Sequence, residues 1–200
     1  MGAEDKSEKA YDKKADNYNN TFDGRFTEKF KQILQNEVVL QKNYKLLDVA
    51  CGNGELVSRF LKNNDIKGFG IDISGNMIKN AKLLCPQGSF KKSNCEHTGF
   101  ERNFFDVITV SAAYHHFPNV HLFAKECHRI LKKDGRLYIA EVYLPNVLRL
   151  LINPFIKLSK EGDVKIYSTL DIISNFEEVG FVCSKKTFKG FVQLLELQKK

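Results

Sequence analysis

The 200-residue chain predicts an α/β fold: a seven-stranded, mostly parallel sheet with helices on both faces and an antiparallel last strand. Three observations carry this. Between residues 45 and 142, short apolar runs alternate with amphipathic stretches, the order of βα units in a parallel sheet. The first run passes directly into Cys51-Gly52-Asn53-Gly54, a glycine turn of the kind that joins a strand to a helix. The chain closes on two β-type runs, 181–187 and 191–198, with no helix between them, so they pair as an antiparallel hairpin.

The elements follow in order. Tyr11, Ala15 and Tyr18 are spaced for one helix face, and Phe26, Phe30, Ile33 and Leu34 for another, so residues 1–40 read as a helical cap on a single 1–200 domain. Leu46, Leu47, Val49 and Ala50 form a short buried strand, and Leu56, Val57, Phe60 and Leu61 the helix after the turn. Residues 67–74 make a second strand ending on Asp72. Ser74 then caps a helix with Met77, Ile78 and Ala81 inward. A short strand at 89–92 runs into Ser93-Asn94-Cys95-Glu96. The run Val107–Val110 is the central strand, and the small residues Ser111, Ala112 and Ala113 leave room at its carboxyl end. Residues 121–131 are helical, Lys132–Gly135 a turn, and 136–142 a fifth strand. Ser168 and Asp171 have capping-box spacing, opening a helix that buries Leu170, Ile173 and Phe176 and stops at Gly180. Between these last two elements, residues 143–167 are too apolar for a plain surface loop and read as a substrate lid.

The ligand expected at the glycine turn follows from charge. A dinucleotide fingerprint wants three glycines, and here there are two, followed by Glu55. A carboxylate at the helix start repels a pyrophosphate and accepts a cationic, amino-bearing ligand, so tight binding of NAD or FAD is not expected. Asp72, about 20 residues past the turn, is placed to accept hydrogen bonds from both ribose hydroxyls.

The pattern Asp48-x-x-Cys51-Gly52-x-Gly54 resembles the first motif of class I S-adenosylmethionine (SAM) dependent methyltransferases, with Ala50 where the family has its first glycine. Asp72 matches the family's ribose-binding acid, and Asn94 stands where an acidic or amide residue meets the adenine. The run from Phe105 through Tyr114-His115-His116-Phe117 resembles the fourth motif of the type 11, ubiquinone/menaquinone-methyltransferase-like family. Ala10-Tyr11-Asp12-x-x-Ala15-x-x-Tyr18 resembles the cap of many small-molecule members. The resemblance covers roughly residues 8–200 and implies a Rossmann-like class I methyltransferase fold. It implies SAM as cofactor, with S-adenosylhomocysteine as product. It implies a cofactor site formed by Asp48, Ala50, Cys51, Gly52, Asn53, Gly54, Asp72, Ile73, Met77, Asn94, Cys95, Ser111, Ala112, Tyr11 and Tyr18. His115 and His116, just past the central strand, are the candidate catalytic residues, either one serving as a general base where the acceptor must lose a proton.

Composition narrows the class. No run of about 18 apolar residues is present, so no transmembrane segment is expected. The polar start is no signal peptide and does not fit a myristoylation signal. Five cysteines without a C-x-x-C pair indicate reduced thiols and a cytoplasmic protein. The net charge of +7 comes from scattered lysines, with no basic tract, so a nucleic-acid partner is not expected. His121, Cys127 and His128 lack the i, i+4 spacing of helical ligands, so no metal is expected. The reading is a methyltransferase for a small, partly apolar acceptor. An RNA or protein methyltransferase and a SAM-binding protein without catalysis are the alternatives.

Overall fold

The computed structural model describes residues 2–156, 158, 159 and 161–200. Seven strands, β1 (Lys45–Val49), β2 (Lys67–Asp72), β3 (Ser89–Lys92), β4 (Phe105–Ser111), β5 (Leu131–Val142), β6 (Phe181–Lys189) and β7 (Val192–Lys199), form one sheet. Their order is β3-β2-β1-β4-β5-β7-β6. The first five are parallel, and β7 runs antiparallel to β5 and β6. This is the expected sheet with its reversed last strand.

Helices cover both faces. α5 (Val120–Ile130) and α7 (Thr169–Glu177) pack on one face over Leu47, Val49, Ile108 and Val110. α2 (Phe22–Glu37) and α3 (Glu55–Asn63) cover the other, over Leu46, Val107, Tyr138 and Ala140. Because β1 and β4 are covered on both sides, consecutive residues are all buried, which is why they read as continuous apolar runs. α4 (Gly75–Leu84) buries Met77, Ile78 and Ala81 as expected, capped by the Ser74 hydroxyl on the Met77 N–H. Ser168 and Asp171 form the expected capping box on α7.

Three expectations change. Leu170 is 72% exposed, and the buried face of α7 is Ile172, Ile173 and Phe176. Residues 170 and 172 lie about 200° apart around a helix, so only one of them can face the sheet. The 132–135 turn is a bulge inside β5: Phe105 pairs with Leu131, then Val107 with Arg136. Asp134 takes a positive φ of 62° there. The cap is also broken. α1 (Ala3–Lys14) ends in a 3-10 segment, Ala15–Asn20, with non-helical dihedrals at Asn17, before α2 begins.

Within 143–167, α6 (Asn146–Ile156) has its polar side inward. Asn153 bonds both backbone groups of Ile166, and Arg149 reaches Asp171. Val147, Leu150, Leu151 and Phe155 are 64–73% exposed. Lys157 and Lys160, in the expected lid, lie outside the described residues. Leu150→Ala and Phe155→Ala are therefore expected to shift the melting temperature by no more than about 2 °C, since surface changes stay within about 0.5 kcal/mol. Ile172→Ala, fully buried, should cost about 2–5 kcal/mol. Thermal melts of the three variants check this contrast.

Candidate functional site

A cleft opens at the carboxyl ends of β1, β2 and β4, where open parallel sheets hold ligands. The glycine turn builds its floor. Cys51 N–H bonds Ile71 O (2.9 Å), tying the turn to β2. Gly52 sits at φ +53°, and a Cβ there would meet nothing within 4 Å, so the missing side chain faces open space. Gly54, at φ +77°, starts α3. Ala50 and Ala112 also take positive φ, 56° and 49°. Left-handed backbone at non-glycine residues costs about 1–3 kcal/mol each and is kept where the surroundings hold it. Both strained residues line the cleft.

Asp72 closes the end of β2. Its two carboxylate oxygens accept the N–H groups of Gly52 (2.8 Å) and Ser74 (2.9 Å). A carboxylate has about four acceptor sites, so about two remain for a ligand. Burial pushes its pKa up to about 6, with the Ser74 and Gly52 hydrogen bonds opposing the shift. Ser111 Oγ lies buried on the cleft wall with no hydrogen-bond partner. An orphaned hydroxyl, an open glycine and a carboxylate with spare acceptor sites fit a ligand rich in hydroxyl and amino groups.

Asp48 lies beneath the floor, 2% exposed, accepting from Thr109 Oγ1 at 2.7 Å. Burial raises its pKa to about 7. With the folded-state pKa above the unfolded one, its contribution favours folding below pH about 4 and is lost as pH rises through about 7. Asp48→Asn is therefore expected to raise the ligand-free melting temperature at pH 8 by about 2–6 °C. The gain should shrink steadily toward pH 4. An equal shift at both pH values would show that the charge is not its source.

The expected site residues divide. Tyr11, Tyr18, Ala50, Gly52, Asp72, Ile73, Met77, Asn94, Cys95, Ser111, Ala112 and His116 line the cleft. Cys51 instead turns its thiol into a small core with Val57, Ile78 and Phe90. Asn53 reaches away to Asn19 Oδ1 (2.8 Å). Asn94 donates to Glu4 and accepts from the Glu96 N–H (2.6 Å), so its amide is already engaged. Glu55 is paired with Lys31 (2.7 Å) and Arg59 (2.6 Å) and does not line the cleft. Its charge is spent within the protein, which removes it as the reason to refuse a pyrophosphate. The acids that do face the cleft are Asp72 and Glu4. Glu4 and Ser7 have no sequence signal, because the helix that carries them is placed by polar ties: Asp12 to Ser74, Lys92 to Glu8 (2.6 Å) and Asn76 to Asp12 O (3.2 Å).

The histidines also divide. His116 lines the cleft with Nε2 3.0 Å from the Tyr11 hydroxyl. His115 does not; its Nδ1 lies 2.8 Å from the buried Glu141. Burial disfavours the charged form of both rings. Glu141 and Asp163 outweigh it for His115, whose pKa is raised, whereas His116 stays lowered. His121, Cys127 and His128 form no joint site. His121 meets Asn175 and Glu178, Cys127 is core, and His128 packs on Phe181. Among the described residues, the cluster with metal-ligand geometry is His115, His116 and Asp163. Asp163 is 47 positions from His116 in the chain, too far for spacing to reveal it.

Residues 47–139 match the family model described as "Methyltransferase domain". The chain is 34% identical over 116 residues to the demethylmenaquinone methyltransferase of Thermotoga maritima, covering 56% of this chain and 50% of that protein. It spans about half the length of the curated relatives it matches. Among solved structures, YcgJ from Bacillus subtilis superposes with a TM-score of 0.75 at 17% identity, over 86% of this chain and 98% of that one. A TehB-like SAM-dependent methyltransferase from Corynebacterium glutamicum gives 0.68 at 16%, over 93% and 97%. At these identities the structural likeness establishes the fold.

Proposed function

We propose, on the premise that residues 47–139 of this chain are a class I methyltransferase domain of the type 11 family, that the protein transfers a methyl group from SAM to a small, partly apolar molecule. The observation that carries this is Asp72, joined to the Gly52 turn with acceptor sites to spare at the mouth of the cleft. SAM supplies an electrophilic sulfonium methyl, and S-adenosylhomocysteine leaves as product. Asp72 receives the ribose hydroxyls. The open face of Gly52 lets the methionine part approach the backbone, and Ile73 and Met77 flank the adenine. Asn94 and Cys95 border the same end, Ser111 and Ala112 the methyl-bearing end. Asp48, Cys51, Asn53 and Gly54 shape the turn rather than touch the ligand.

Tyr11, Tyr18 and His116 bound the space left for the acceptor. Of the two histidines, His116 is assigned to touch it, and His115 is a positioning residue behind it. The chain's part in the reaction is chiefly to hold the acceptor in line with the methyl and to exclude water. Residues 1–40 act as cap and 143–167 as lid in this reading. Within the cap, α2 is anchored by Phe30, Ile33 and Leu34 in the core, whereas α1 is held by hydrogen bonds and ion pairs and buries only Ser7. A helix tied this way can open to admit ligands at small cost. The Thermotoga relative's name points to a quinol-type ring as the first acceptor class to try. No helix of the described residues is long and apolar enough to cross a membrane, and the free cysteines support a cytoplasmic location.

The test is S-adenosylhomocysteine formation by the purified chain. Phenols, quinols and amines are offered in one arm, and bulk tRNA and rRNA in another. Turnover in the small-molecule arm supports the proposal. Turnover with RNA alone would assign the chain to nucleic acid, and SAM binding without turnover in either arm would leave a binding protein.

A further inference from the structure

The geometry points to a divalent-cation site formed by His115 Nε2, His116 Nδ1 and Asp163 Oδ1, behind the wall of the cleft that His116 lines. The three residues come from two segments. The histidines lie in the 3-10 turn Tyr114–His116 after β4, and Asp163 lies in the connection between α6 and α7. The Val164 N–H bonds His115 O at 2.8 Å, which sets Asp163 against the two rings.

Four features favour a cation over a plain ion-pair network. First, Asp163 Oδ1 lies 3.0 Å from His116 Nδ1 and 3.6 Å from His115 Nε2, and all three atoms fall within 4.8 Å of one another. Ligands on a tetrahedral zinc at about 2.0–2.1 Å sit about 3.3 Å apart, so small side-chain adjustments suffice. Second, the far nitrogen of each ring is already held. Glu141 Oε1 takes His115 Nδ1 at 2.8 Å, and the Tyr11 hydroxyl meets His116 Nε2 at 3.0 Å. A carboxylate or hydroxyl behind each imidazole is the arrangement that aims a lone pair at a metal. Third, His116 Nδ1 is buried and faces Asp163 Oδ1 at 3.0 Å without an aligned hydrogen bond, so the two atoms face each other as a pair of ligands would. Fourth, Glu141 and Asp163 bring two carboxylates into a site whose side chains are 1–17% exposed, a charge that a cation of +2 balances.

Two imidazoles and one carboxylate suit zinc or ferrous iron rather than magnesium or calcium, which prefer oxygen. The cation would fasten the 161–164 segment to the end of β4 and, through Tyr11, to the cap. With Nδ1 on the metal, His116 Nε2 carries its hydrogen toward the Tyr11 oxygen. His116 then meets the cleft as a hydrogen-bond donor and not as a free base.

The experiment titrates the chelator-treated 200-residue chain with Zn2+ by calorimetry, with Co2+ absorption as a second readout. One equivalent is expected to bind, with a rise in melting temperature. Asp163→Asn and His116→Ala should each weaken it by about 100-fold or more, and Glu141→Gln by about 10- to 100-fold as a loss behind a ligand. Glu37→Gln, a surface acid paired with Lys185 and Lys189, should change nothing. Cysteines are the competing ligands, so zinc binding that survives both Asp163→Asn and His116→Ala would overturn the site. So would the absence of an equivalent in folded wild type. SAM binding measured on the same samples keeps this outcome separate from that of the methyltransferase reading.

Discussion

Asp72→Ala is expected to weaken SAM binding about 10- to 150-fold, the equivalent of the ~1.5–3 kcal/mol lost when hydrogen bonds to a charged group disappear. In the proposed site the carboxylate would serve the ligand and the protein side of the cleft together. It accepts the Gly52 and Ser74 N–H groups, so its removal also frees the glycine turn. The pH dependence provides an independent check. The free protein's Asp72 titrates at about 6 because burial opposes its charge. Ribose hydroxyls favour the ionised form, so wild-type affinity should rise with pH through about 6 and level off above 7. Calorimetry of wild type and variant between pH 5 and 8 measures both effects. Unchanged affinity in Asp72→Ala would place the ribose elsewhere and undo the cofactor assignment.

Gly24→Ala is expected to destabilise the protein by about 2 kcal/mol or more and lower the melting temperature by at least 4 °C. Helix propensity alone predicts the opposite sign, a gain of about 1 kcal/mol, because Gly24 lies in the first turn of α2. The difference is a contact. A Cβ at Gly24 would lie 2.1 Å from the Tyr18 carbonyl oxygen and 2.9 Å from Asn19 Cα. Both are backbone atoms and cannot swing aside. The same carbonyl takes the Thr21 N–H (3.0 Å) and hydroxyl (2.6 Å), which fold the chain back from the 3-10 segment into α2. Pushing it away moves Tyr18, a wall of the cleft. SAM affinity should therefore fall along with stability. A stabilised variant with normal affinity would mean that the 15–20 segment yields freely and that Tyr18 does not depend on it.

These two sites mark what was legible in the residues. Asp72 was readable because a local pattern places it. A strand is a period-2 object of limited length, a glycine turn follows its neighbour, and the about 20 residues between them span one βα unit. The same local logic reached the sheet, its reversed last strand, the Ser74 cap and the Ser168 capping box, each built from residues close in sequence. It also brought most of the expected cofactor residues to one cleft, since β1, β2 and β4 end there. Local patterns failed where identity did not determine facing. Glu55 offered a free carboxylate in the sequence, but Lys31, 24 positions away, and Arg59 take it up. Leu170 fitted the period of α7 but lay on its outer side.

By itself, then, the sequence determined the order of the strands and helices, the glycine turn and the acid that meets it, because hydrophobic period and backbone conformation are properties of neighbours. Only the tertiary structure decided the rest. It separated His116, on the cleft, from His115, behind it. It brought Asp163 and Glu141 to the pair, turned the apolar side of α6 outward and left no room for a Cβ at Gly24. The histidines, Asp163, Glu141 and α6 depend on atoms from segments 13 or more positions apart, and Gly24 on the way the chain doubles back between Tyr18 and α2; neither is a property of adjacent residues.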